Sequence, residues 1–155
     1  MKLATYEIQV PFVTTSADTA KDIVRFADLK AGQRAVDLGS GDGRVVLELA
    51  KAGLIVDGFE HKPELVRRSR QRIRDANLQD HAQIFATSFW DVDLSSYDVI
   101  YIYGMNSVLG RVEKKLEKEM RPDAKFISNV FKLPHWRPKK SEKYLHLYGK
   151  QMVNG

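Results

Sequence analysis

One ten-residue stretch, AVDLGSGDGR at residues 35–44, constrains the fold more than any other. A short apolar run leads into three glycines at alternate positions, Gly39, Gly41 and Gly43, and an acid, Asp37, precedes the first of them by two residues. Apolar residues followed by closely spaced glycines are typical of a buried strand that ends in a tight turn. Because glycine lets other groups approach the backbone closely, the pattern predicts a strand whose carboxyl end carries a ligand-binding turn.

The rest of the chain alternates between helical and strand-like patterns. Apolar residues at helical spacing predict helices over residues 17–29, 44–52, 63–77 and 107–120. Apolar runs predict strands over residues 35–38, 54–59, 83–86, 98–103, 125–131 and 144–149. The last strand is expected to be antiparallel because no crossover helix precedes it, and residues 133–141 (LPHWRPKKS) are expected to form a long irregular loop. This order predicts an α/β fold, a doubly wound, mostly parallel Rossmann-like sheet with helices on both faces and a C-terminal antiparallel strand.

Length and composition narrow the class of protein further. A chain of 155 residues with 43% hydrophobic residues can bury one core, so we predict a single domain over residues 1–155. The absence of cysteine excludes disulfides, thiolate metal sites and cysteine nucleophiles, and the four histidines lack the spacing of metal ligands. The sequence shows no signal-peptide pattern and no apolar stretch as long as a membrane span. We therefore expect a cytoplasmic protein with no resident metal and no membrane insertion.

The glycines and two acids discriminate between nucleotide cofactors. Dinucleotide-binding turns have the pattern GxGxxG with a pyrophosphate at the helix N-terminus, whereas this chain has GxGxG. The carboxylate of Asp37 would repel a pyrophosphate and attract an ammonium group. A second acid, Glu60, ends the predicted second strand 17 residues after Gly43, where it can accept hydrogen bonds from both ribose hydroxyls. A nucleoside that carries an amino acid suits both acids, and S-adenosyl-L-methionine is that molecule.

These motifs resemble class I S-adenosyl-L-methionine-dependent methyltransferases, in particular the small single-domain protein lysine methyltransferases. That group includes the mitochondrial enzymes that modify ATP synthase subunit c and the adenine nucleotide translocase, and a small archaeal relative. The resemblance covers about residues 10–150 and rests on VDLGSGDGR, FE at 59–60, FWDVDLSSYDVIYIYG, VEKKLEKEM, DAKFIS, PFVTTS and FKLPHW. It implies S-adenosyl-L-methionine as the cofactor, a methyltransferase activity on lysine, and a protein that presents a lysine as the partner.

The resemblance also implies where the cofactor is contacted. The family usually has an acid after the third strand that accepts from the adenine amino group, and this chain has Ser88 there, a weaker acceptor, followed by Phe89. In the segment PFVTTS, the hydroxyls of Thr14 and Thr15 are expected to bond the methionine carboxylate. The predicted cofactor contacts are Thr14, Thr15, Asp37, Gly39, Gly41, Glu60, Ser88, Phe89 and Tyr103.

The acceptor side of the site is predicted from the residues that follow the fourth and fifth strands. Tyr103 and Asn106 come just after the fourth strand and are expected to line a substrate channel. Phe131 and Trp136 could wall the channel, since aromatic rings attract an ammonium group, although Trp136 could equally pack over the core. No residue is identified as an obligatory catalytic base.

Two other functions remain open from the sequence. An RNA or small-molecule methyltransferase could use the same fold and cofactor, and so could a cofactor-binding protein without transfer activity. Residues 67–74 (RRSRQRIR) contain five arginines, which either form the solvated face of a helix or contact nucleic acid or another acidic partner. The helical pattern spreads these arginines widely around the helix, which favours the solvated face.

Overall fold

Seven strands form one sheet at the centre of the computed structural model, which describes residues 17–151. The strands are β1 Arg34–Leu38, β2 Ile55–Phe59, β3 Ala82–Phe85, β4 Val99–Tyr103, β5 Lys125–Asn129, β6 Lys140–Glu142 and β7 Leu145–Tyr148. The α-helices are α1 Ala17–Phe26, α2 Arg44–Lys51, α3 Pro63–Asp75 and α4 Leu109–Glu119. Short 3-10 turns lie at Phe89–Asp91, Leu94–Ser96 and Asn106–Val108.

The sheet has the strand order β3-β2-β1-β4-β5-β7-β6. The first five strands in this order are parallel, β7 runs antiparallel to β5, and β6 runs antiparallel to β7. The predicted doubly wound sheet with an antiparallel C-terminal strand is therefore confirmed. Since β1 lies between β2 and β4, the strand order reverses beside β1, and a crevice for ligands is expected at its carboxyl end.

Two hydrophobic clusters cover the two faces of the sheet. Side chains of α1, α2 and α3 pack on one face, with Ile23, Leu49 and Ile73 among the buried residues. On the other face, α4 packs together with two of the 3-10 turns and the loop that contains Trp136. Both faces are thus covered by helical segments, as the sequence predicted, although the β3–β4 connection contains two 3-10 turns and no α-helix.

The C-terminal region departs from the sequence prediction in two places. The stretch 133–141 is not wholly irregular, because its last two residues begin β6, which pairs with β7 through Lys140 and Leu147. Strand β5 ends at Asn129, two residues earlier than expected, because Val130 adopts a φ of 94° that a strand cannot accommodate. A three-residue edge strand with no apolar alternation leaves little signal in a sequence.

Candidate cofactor and acceptor site

A cavity of about 910 Å³ opens at the carboxyl edge of the parallel strands. Its walls come from the turn after β1, the end of β2, the segment after β3 and the segment after β4. Connections that follow parallel strands meet at this edge, so residues distant in sequence are brought together here.

The glycine turn is held in place by the backbone of β2. The amides of Gly39 and Ser40 both donate to the carbonyl of Phe59, at 2.9 and 3.0 Å. Gly41 has a φ of 60°, and a Cβ added there would meet no heavy atom within 4 Å. The turn therefore requires glycine for its conformation and leaves its backbone open toward the cavity that Gly41 lines.

Glu60 links the glycine turn to the end of β2. Its Oε1 accepts a hydrogen bond from the amide of Gly41 at 2.9 Å, and its Oε2 accepts from the amide of Lys62 at 3.0 Å. The side chain is buried, yet it lines the cavity. Since each carboxylate oxygen can accept more than one hydrogen bond, Glu60 keeps acceptor capacity for hydroxyl groups of a ligand.

Asp37 is a buried acid in the wall of the same cavity. It is only 3% exposed, and within residues 17–151 its Oδ1 has no hydrogen-bond partner. Burial, together with the nearby negative charge of Glu60, raises the pKa of Asp37 to about 8. A buried carboxylate with an unsatisfied oxygen is costly unless a donor or a cation meets it, so the site fits a ligand with an ammonium group.

Aromatic and thioether side chains form the part of the cavity wall beside Gly39. A Cβ on Gly39 would lie 3.6 Å from Met105 Sδ and 3.9 Å from the ring of Phe89, so both side chains approach the glycine turn. The rings of Phe89 and Trp90 lie 4.6 Å apart, and the guanidinium of Arg111 lies 4.1 Å over Trp90. This wall offers flat apolar surfaces of the kind that pack against a nucleobase.

Ser88 and Phe89 line the cavity as predicted, whereas Trp90 and Met105 were missed. The hydroxyl of Ser88 accepts from the amide of Trp90 at 3.2 Å and so caps the 3-10 turn. Trp90 directly follows the two predicted contacts in the sequence, and this adjacency could have identified it as a further residue of the wall. Met105 reaches the site through a φ of 64°, and nothing in the local sequence predicts that conformation. Thr14 and Thr15 lie outside the described residues.

Only one of the four substrate-channel candidates lines the cavity. Tyr103 does so, and burial raises the pKa of its phenol. Asn106 is exposed at the start of its 3-10 turn, while its neighbours Met105 and Ser107 belong to the wall. Phe131 packs, partly buried, against the core on the α4 side of the sheet. Asn106 and Phe131 are therefore not among the residues that line the cavity.

Trp136 packs in the core, which is one of the two alternatives that the sequence left open for it. The residue is 2% exposed and packs in the cluster under α4. The carboxylate of Glu113 on α4 accepts from the amides of His135 and Trp136, at 2.8 and 2.7 Å, and also lies 2.7 Å from His135 Nδ1. These bonds fix the loop against α4 and explain why the tryptophan turns inward.

The arginines of α3 are largely engaged within the protein. Four of the five have a partner: Arg68 with Glu64 at 3.3 Å, Arg70 with the Ile84 carbonyl at 2.7 Å, Arg72 with Asp42 at 3.7 Å and Arg74 with Gln71 at 2.9 Å. Because these arginines are paired within the protein, we interpret them as the solvated face of a helix. A dedicated phosphate-binding surface would leave its cations available to the ligand.

Residues 17–151 contain neither a cluster of metal ligands nor a membrane-spanning helix. No group of three or more His, Asp or Glu side chains in this part of the chain could hold a metal ion. No helix in the same range is long and apolar enough to cross a membrane.

The fold and the site define a Rossmann-like methyltransferase domain. An RNA methyltransferase from Salinibacter ruber, solved with S-adenosyl-L-homocysteine, has the same fold, with a TM-score of 0.85 at 22% identity over 91% of this chain and 96% of that chain. The particular family follows from the sequence: the chain belongs to the ANTKMT methyltransferase domain family, whose model matches residues 37–140. The resemblance to the small methyltransferases is thereby confirmed.

Two lysine N-methyltransferases are similar to this chain over most of its length. The human ATP synthase subunit c lysine N-methyltransferase is 35% identical over 132 residues, which are 85% of this chain and 56% of that protein. A protein-lysine N-methyltransferase of Saccharolobus islandicus is 29% identical over 86% of this chain and 84% of that protein. The chain thus spans little more than half the length of the human relative.

Proposed function

We propose that this protein is an S-adenosyl-L-methionine-dependent methyltransferase that transfers a methyl group to the side-chain amine of a lysine in a protein. The observation that carries the proposal is the buried Asp37 with its unsatisfied Oδ1, which lies in the same cavity wall as the glycine turn and Glu60. An ammonium beside one acid and ribose hydroxyls beside the other would satisfy both carboxylates with a single ligand.

Each part of the cavity fits one part of this cofactor. Asp37 would receive the ammonium of the methionine moiety, and Glu60 would accept from the ribose hydroxyls. Phe89, Trp90 and Met105 would hold the adenine ring between apolar surfaces. When bound, S-adenosyl-L-methionine supplies an activated methyl group on a sulfonium, so the protein mainly has to position the acceptor in line with it.

The acceptor amine must lose a proton before it can react. With a reference pKa of ~10.4, only about 0.04% of a lysine side chain is neutral at pH 7. A cavity wall that contains Tyr101 and Tyr103 reduces the hydration of an ammonium and so lowers its pKa. Since Asp37 and Glu60 are assigned to the cofactor, we assign no side chain as an obligatory base, and water accepts the proton.

The choice of lysine as acceptor is supported by the names of the relatives in the same family, which are protein-lysine N-methyltransferases. The second candidate is an RNA methyltransferase, which the shared fold of the Salinibacter ruber enzyme favours. The paired arginines of α3 argue against an RNA acceptor.

The cytoplasmic location stays a prediction, which cell fractionation tests.

Methyl transfer from labelled S-adenosyl-L-methionine into a cell lysate, followed by separation of protein from RNA, tests this proposal. We expect label in the protein fraction with the parent and a strong loss with Gly41→Ala, because the added methyl group enters the cavity. Gly32→Ala is the matched control, since Gly32 also has a positive φ, of 90°, with no heavy atom within 4 Å of an added Cβ, and does not line the cavity. Label confined to RNA would replace the proposal with the second candidate.

A further inference from the structure

The positive charge of the chain is concentrated in its C-terminal part. From residue 121 onward there are eight Lys and Arg residues and two acids, a net charge of +6, whereas the whole chain carries +5. Residues 1–120 therefore carry a net charge of −1. An uneven distribution of this kind points to a local contact with an acidic partner.

Two of these lysines belong to the chain segments that meet beside the end of β5: Lys143 directly precedes Tyr144, and Lys132 comes two residues after Val130, whose amide donates to the Tyr144 carbonyl. Tyr144 is 67% exposed, and Lys132 and Lys143 are exposed as well. Within residues 17–151, neither ammonium has an acid within ion-pair distance, and the neighbouring Glu142 is paired with Arg25 at 2.5 Å. We call Lys132, Lys143 and Tyr144 the Tyr144 patch. Its charges are available to a partner, and its ring offers apolar contact area.

The sheet register fixes how far the Tyr144 patch lies from the cavity. Tyr103, which lines the cavity, pairs with Asn129, and Asn129 pairs with Leu145, the residue after Tyr144. The amide of Val130 donates to the Tyr144 carbonyl at 2.8 Å and holds this turn against the end of β5. Neighbouring strands are ~4.8 Å apart, so the backbone distance from Tyr103 to Leu145 is about 10 Å. An extended polypeptide rises about 3.3 Å per residue and spans this distance in three residues.

We infer that the Tyr144 patch binds the polypeptide substrate beside the target lysine and prefers an acidic residue about three positions away from that lysine. This inference rests on the proposed function, because it takes a protein lysine as the acceptor. A polypeptide is favoured over a nucleic acid because the patch offers only two cations, together with one exposed ring that can pack against a side chain. A phosphate backbone would need a longer row of cations.

Steady-state methylation of short unstructured peptides tests the inference. One peptide carries a single lysine with Asp three positions away on both sides, and its partner peptide carries Asn at those positions. We expect the parent to show a lower KM for the Asp peptide, with equal kcat. The double variant Lys132→Glu/Lys143→Glu should raise KM for the Asp peptide by about threefold to tenfold, as expected for exposed ion pairs, and leave the affinity for S-adenosyl-L-homocysteine unchanged.

Lys118→Glu is the matched control. Lys118 is exposed in the last turn of α4, which leads to the amino-terminal end of β5, whereas the Tyr144 patch lies at the carboxyl-terminal end of β5. The control variant should behave as the parent does. Equal KM for both peptides, or an unchanged KM in the double variant, overturns this inference and leaves the proposed function intact. A double variant that loses label from RNA and not from peptides assigns the patch to nucleic acid. Absence of transfer to any peptide by the parent, with label only in RNA, overturns both proposals.

Discussion

Cofactor binding should release a proton from Asp37. In the cofactor-free protein the pKa of this carboxyl is raised to about 8 by burial and by the charge of Glu60, so Asp37 is mostly neutral at pH 7. Only the ionised form can pair with the ammonium of the methionine moiety. Binding must therefore remove the proton whenever the pH is below 8, and the affinity for the cofactor should rise as the pH approaches 8.

The pKa of Asp37 also sets how much the affinity changes with pH and how many protons are released. About 9% of Asp37 is ionised at pH 7 and about 1% at pH 6, so the affinity for S-adenosyl-L-homocysteine should rise close to tenfold between these two values. At pH 7, about 0.9 protons should be released per ligand bound. Above pH 8 the gain should end, because Asp37 is then already mostly ionised in the cofactor-free protein and has no proton left to release.

Isothermal titration calorimetry in two buffers with different enthalpies of ionisation measures the number of protons directly. Asp37→Asn should bind more weakly and without proton release, and methylthioadenosine, which lacks the amino acid, should bind the parent without proton release. The raised pKa also means that the native state holds a proton that the unfolded state loses above pH 4. The free energy of unfolding should thus fall as the pH rises toward 8 in the parent, and less in Asp37→Asn. A pH-independent affinity with no proton release would refute this reasoning.

Three substitutions test other parts of the site and its support. Glu60→Ala should weaken binding of S-adenosyl-L-homocysteine by about 1–3 kcal/mol in calorimetry, because charge-assisted hydrogen bonds are lost. Asp75→Ala, at an exposed position of α3 that does not line the cavity, should have no effect, and equal affinities for the two variants would contradict a ligand contact at Glu60. Trp136→Ala should lower the free energy of unfolding by about 3–5 kcal/mol in urea denaturation, since the ring is fully packed; a much smaller loss would contradict its place in the core. Trp90→Ala should weaken cofactor binding at a smaller cost in stability, and an unchanged affinity would remove Trp90 from the adenine wall.

The sequence predicted the parts of the site that depend on local chain geometry. The turn after β1 needs glycine wherever φ is positive, and Asp37 and Glu60 lie at fixed positions relative to strand ends. Parallel strands place all such ends at one edge of the sheet, so the prediction that these residues meet needed only the order of elements. The fold and the cofactor side of the cavity were accessible for this reason.

Other parts of the site were harder to predict because they depend on tertiary contacts. The loop that contains Trp136 is positioned by Glu113, a buried acid on a helix that resembles any charged helix position in the sequence. Met105 enters the wall through an unusual backbone conformation. Phe131 follows a strand that ends two residues early, so it packs against the core and does not line the cavity. Local patterns of aromatic residues do not show which side of a loop faces a cavity.

The dependence of the transfer rate on pH tests the central claim most directly. With saturating S-adenosyl-L-methionine and a lysine peptide, a reaction that consumes the neutral amine without a strong base should accelerate close to tenfold per pH unit above pH 7, until another step limits it. Tandem mass spectrometry should locate the methyl group on the lysine Nζ. A flat profile between pH 7 and 9, with label in the RNA fraction of a lysate, would contradict the proposed lysine methyltransferase.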